Sequence, residues 1–95
     1  MVTAIILLKA ARNRIKAVAE ALAERPEISE VFSVSGSFDL VAIVRVDNND
    51  ALADLVTQHL ADVDGIAETE TMLAFRAYSR HDLERMFAVG QNGAS

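Results

Sequence analysis

Cysteine and tryptophan are absent from the 95-residue chain, proline occurs once, and aromatic residues make up 5% of it. Without cysteine there is no disulfide framework and no thiolate metal site. No apolar run approaches the roughly 20 residues of a membrane span. Met1 to Lys9 shows no basic stretch ahead of a long apolar segment, so a secretory leader is not expected and a cytoplasmic location is. Positive charge is also scarce: nine Lys and Arg face fourteen Asp and Glu, for a net charge of −5. Nucleic-acid binding draws much of its affinity from phosphate neutralisation and needs a basic face. Arg12, Arg14 and Lys16 form one small basic cluster interleaved with apolar residues, which reads as a solvated helix face.

What the chain has in abundance is apolar side chains. They are 52% of the residues, and the mean hydropathy is +0.22. That composition excludes disorder. The length suits one domain, and a monomer of this size buries only roughly 60–68% of its unfolded surface. So much apolar content in so small a domain points to an oligomer, which buries a second surface.

Ala4–Leu8 is an unbroken apolar run, expected as a strand buried on both faces. Ile15, Val18, Ala19 and Leu22 then fall at helical spacing on one face, and Pro26 ends that helix. Val31–Ser35 reads as a second strand, with Phe32 and Val34 on one face and Ser33 and Ser35 on the other. Gly36–Asp39 is a turn, and Leu40–Val46 is a third strand, apolar except at Arg45. Asp47–Asp50 supplies turn and N-cap residues for a helix carrying Leu52, Leu55, Val56 and Leu60. Ile66–Phe75 is the fourth strand. Ser79–Asp82 resembles a capping box, so a short C-terminal helix with Leu83, Met86 and Phe87 is expected, then a frayed tail from Gly90. Residues 1–78 are assigned to the domain and 79–95 to the helix and tail.

The order β-α-β-β-α-β is the ferredoxin-like, split-βαβ order of an α+β sandwich. Right-handed crossovers place both helices on one face of an antiparallel sheet ordered 4-1-3-2. The most continuously apolar strands, one and three, are then central. The polar residues Ser33, Ser35, Glu68, Thr69, Glu70 and Thr71 lie on the edges. The uncovered face is expected to stack on a second sheet in a dimeric α+β barrel.

The turn Gly36-Ser37-Phe38-Asp39 and, about thirty residues further on, Gly65-Ile66-Ala67-Glu68-Thr69-Glu70-Thr71 together carry a resemblance. They look like the Gly-x-aromatic-Asp turn and the Gly-Val-x-x-Thr-x-Thr strand entry of the Lrp/AsnC ligand-binding (RAM) domain. Phe38 stands where Tyr is common, and Ile66 where Val is. The resemblance covers roughly residues 2–78. Full-length members carry an N-terminal helix-turn-helix. Here the first strand begins almost at Met1, so a stand-alone RAM domain without direct DNA binding is expected.

The resemblance implies an amino-acid effector bound in clefts between dimers of a larger ring, often an octamer. It also implies a full-length Lrp/AsnC regulator as a possible partner in a mixed assembly. It carries Gly36, Ser37, Phe38, Asp39, Thr69 and Thr71 over as ligand-binding residues. Their chemistry suits a zwitterion: Asp39 for the ammonium, and turn N–H groups with the Thr69 and Thr71 hydroxyls for the carboxylate. Each residue also has an ordinary role. Gly36 and Asp39 suit any hairpin, Phe38 suits subunit packing, and threonine suits an edge strand.

No cofactor or metal is expected. His59 and His81 have no second ligand at metal spacing, and Glu68 with Glu70 is too few for a hard cation. No nucleophile–base–orienter set is legible, and no phosphate loop. Two alternatives stay open. One is a small dimeric α+β-barrel enzyme of monooxygenase or isomerase type, in which Arg45 and Arg76 would be the only strand cations. The other is a purely structural assembly subunit.

Overall fold

The sheet grows outward from β1, Val2–Ala10, in a computed structural model that describes residues 1–80. Ala4, Ile6 and Leu8 point to one face of β1 and are fully buried. Thr3, Ile5, Leu7 and Lys9 point to the other and are half-buried. β3, Leu40–Val46, repeats the pattern: Leu40, Ala42, Val44 and Val46 are buried, while Val41 and Ile43 are half-buried and Arg45 is exposed. The two strands pair antiparallel, with Ile5 opposite Ile43 and Leu7 opposite Val41. β2, Ile28–Ser33, joins the outer side of β3, and β4, Ile66–Ala74, joins β1. The order β2-β3-β1-β4 is the expected 4-1-3-2 read from the other edge.

Two helices cover the even-numbered face of β1 and β3. α1, Ile15–Ala23, follows a 3-10 turn at Arg12–Arg14 and packs Val18 and Leu22 against β2 and β3. α2, Asn49–Asp54, lies against β1 and β3 and runs on through a π turn, Leu55–His59, and a 3-10 turn, Leu60–Asp62. The π turn contains Thr57, whose hydroxyl donates to the Ala53 carbonyl at 2.7 Å. Such back-bonding competes with the helical ladder and bends it. Among the described residues no helix is long and apolar enough to cross a membrane.

Two expectations need correction. β2 starts and ends earlier than Val31–Ser35. Ile28 and Val31 both belong to the core side, three residues apart, because the β2–β3 register shifts between Ile28 and Glu30. The bulge breaks the alternation on which a strand reading rests. Val34 and Ser35 therefore lie in the β2–β3 loop. β1 also runs past Leu8 to Ala10, which makes Lys9 a strand cation, while Arg76 lies beyond the end of β4. The expected C-terminal helix and His81 lie outside the described residues.

Asn48 caps α2: its Oδ1 accepts from the Ala51 N–H at 2.8 Å. Asn48→Ala removes that acceptor, and the expected loss is about 1 kcal/mol, read by urea denaturation.

Candidate functional site

The loop between β2 and β3 closes on itself through the Val34 N–H and the Asp39 carbonyl, 3.0 Å apart. Gly36 sits in it at φ +111°, a conformation that favours glycine. A Cβ added there would meet nothing within 4 Å, so the turn backbone is open to approach.

Asp39 is committed to the fold. Its own N–H donates to the Leu8 carbonyl at 2.9 Å, and its Oδ2 accepts from the Ala10 N–H at 3.0 Å. The carboxylate thus satisfies a β1 donor at the place where the β1–β4 register shifts, between Lys9 and Ala10. On the other side of β1, the Ala11 N–H donates to the Gly65 carbonyl at 2.8 Å. Asp39→Asn keeps the shape and removes the charge from this bond. The expected loss is about 1–2 kcal/mol, measured by chemical unfolding.

The six residues expected at a ligand site divide between two faces. Thr69 pairs with Leu8 and Thr71 with Ile6, so both threonines lie on the helix side of the sheet. Neither helix covers β4, and Ala67 to Leu73 is exposed. Phe38 instead meets Lys9, whose Nζ lies 5.6 Å from the ring centroid. Lys9 also pairs with Glu68 Oε2 at 3.4 Å, and Lys9, Glu68 and Glu70 share the uncovered face. The Gly36–Asp39 turn and Thr69 therefore sit at the same end of the sheet with β1 between them, roughly 10 Å apart at sheet spacing. One protomer does not gather all six into a single pocket. Lys9 is the neighbour that sequence reasoning missed. Its signal was alternation: it continues the series Ile5, Leu7 by one more step of two.

An open cleft of about 260 Å³ lies at the opposite end of the sheet, lined by Pro26, Glu27, Arg45, Val46, Asp47 and Ala51. None of the expected site residues lines it. Beside it Arg25 Nη2 donates to Glu27 Oε2 at 3.1 Å. Partial burial pushes the Glu27 carboxyl upward. Hydrogen bonds from its own N–H and from Arg25, with the charges of Arg25 and His59, outweigh that and hold it below the usual carboxylate range. The pair's stabilisation is complete above the pH where a free carboxylate titrates and is lost as pH falls through the lowered value. Glu27→Gln is therefore expected to cost about 1 kcal/mol near neutrality and to make stability less dependent on pH in the acid range, followed by thermal unfolding across pH. No group of three or more His, Asp or Glu side chains that could hold a metal ion occurs among the described residues.

Comparison with known proteins places this arrangement. The family model for the Lrp/AsnC ligand-binding domain matches residues 3–83. The HTH-type transcriptional regulator FL11 of Pyrococcus furiosus is 29% identical over 77 residues, which are 81% of this chain and 50% of FL11. The chain thus spans about half the length of the curated relatives it matches. The crystal structure of TTHA0845 from Thermus thermophilus superposes with a TM-score of 0.79 at 49% identity, over 84% of this chain and all of that one. A regulator from Neisseria meningitidis, NMB0573, solved as a complex with L-Met, shares the fold at a TM-score of 0.75 and 16% identity, over 83% of this chain and 53% of its own. The match spans most of the chain, and the chain belongs to the Lrp/AsnC ligand-binding domain family.

Proposed function

We propose that the chain is an effector-binding and oligomerisation module of transcriptional regulation, without catalytic activity of its own. It binds an amino acid or a related metabolite and assembles with itself, or with a full-length Lrp/AsnC regulator. Ligand then reaches transcription through assembly: a ligand that bridges subunits stabilises the oligomer that encloses it. In a mixed assembly it also sets how many DNA-binding heads are present.

The observation that carries this reading is the uncovered sheet face. Ile5, Leu7, Val41 and Ile43 form its centre, and the exposed Phe32 and Met72 extend it to both edges. Such a surface, rimmed here by Lys9, Glu30, Arg45 and Glu68, marks an interface. A second copy stacked on it gives the dimer, and the exposed β2–β3 loop and β4 face remain available for contacts between dimers. The capture of L-Met by NMB0573 supports an amino acid as the ligand class.

A thermal-shift panel of the twenty amino acids tests the effector, and light scattering with and without each stabilising amino acid tests the coupling. Stabilisation by one or a few amino acids together with a change in mass is expected. Twenty null results and a stable monomer at micromolar concentration would overturn the proposal.

A further inference from the structure

We draw no further inference here: the strongest candidate, the bare face of β4 on the helix side of the sheet together with the exposed Phe75 and Tyr78 that follow it, carries nothing because nothing in the structure shows what covers it.

Discussion

Gly65→Ala is expected to destabilise the domain by about 2–4 kcal/mol, through two costs that add. Gly65 has φ +103°, outside the range that side-chain-bearing residues adopt readily, and forcing alanine there costs about 1–3 kcal/mol. The added Cβ would also lie 2.7 Å from Arg14 Cβ, 3.1 Å from Arg14 Cγ and 3.1 Å from Val18 Cγ2. Val18 is fully buried and cannot retreat without disturbing α1. The Arg14 atoms lie close to the backbone, so the guanidinium's freedom does not relieve the contact. Relief has to come from moving the start of α1 away from the start of β4. That in turn pulls on the Ala11 N–H bond to the Gly65 carbonyl. Gly36→Ala supplies the control: its φ is equally positive at +111°, but its Cβ would meet nothing. Strain alone remains there, so the expected loss is about 1–3 kcal/mol, without the added cost of the contacts at Gly65. Urea denaturation of the two variants separates the costs. Equal losses would mean that the Arg14 and Val18 contacts yield freely.

The same glycine shows what the sequence could convey. Its place in a Gly-Ile-x-x-Thr-x-Thr segment marked the entry to β4, but the reason for glycine lies in Arg14 and Val18, brought there by the α1 crossover. β1 and β3 were legible because their burial on one face and partial burial on the other leave continuous apolar runs. β2 was shifted because its bulge puts Ile28 and Val31 on the core side three residues apart, with Ser29 and Glu30 between them. The polar edge character of β4 was legible, as was the sharing of a face by Thr69 and Thr71. Which face they share depends on pairing with Leu8 and Ile6, about two thirds of the chain away.

Asp39 makes the same point at the candidate site. A turn aspartate suggests either hairpin chemistry or a ligand's ammonium, and composition cannot choose between them. The fold adds a partner that composition does not show, the Ala10 N–H, 29 residues earlier in the chain, which the β1–β3 pairing brings within hydrogen-bond reach of Asp39 Oδ2. Lys9 lies next to Ala10 and acquires its neighbours through the same pairing. It was overlooked because a lysine at the end of an apolar run reads as the point where a strand stops.

Ile5→Lys is expected to convert the assembly to monomers while sparing the fold. Ile5 sits near the centre of the uncovered face, between Ile43 on β3 and Met72 on β4. In a single protomer the position is half-buried and borders solvent, so a lysine there extends its ammonium into water along an apolar stem. The cost to monomer stability is about 1 kcal/mol, the apolar surface no longer covered. In a face-to-face dimer the same ammonium lies between two sheets about 10 Å apart, with apolar side chains around it and no carboxylate directly opposite within its own strand pairs. A two-fold axis places two such charges in one interface. An unpaired charge buried in this way costs about 3–5 kcal/mol, and two together weaken association by at least a thousandfold. Sedimentation should show wild type above monomer mass and Ile5→Lys at it, with the circular dichroism spectra superposable. Arg45→Ala, on the same face but at its exposed rim, should leave the mass unchanged. A variant that remains dimeric would place the interface elsewhere, on the β4 edge or the helix layer. The effector would then couple to assembly through a different surface from the one that β1 and β3 leave open.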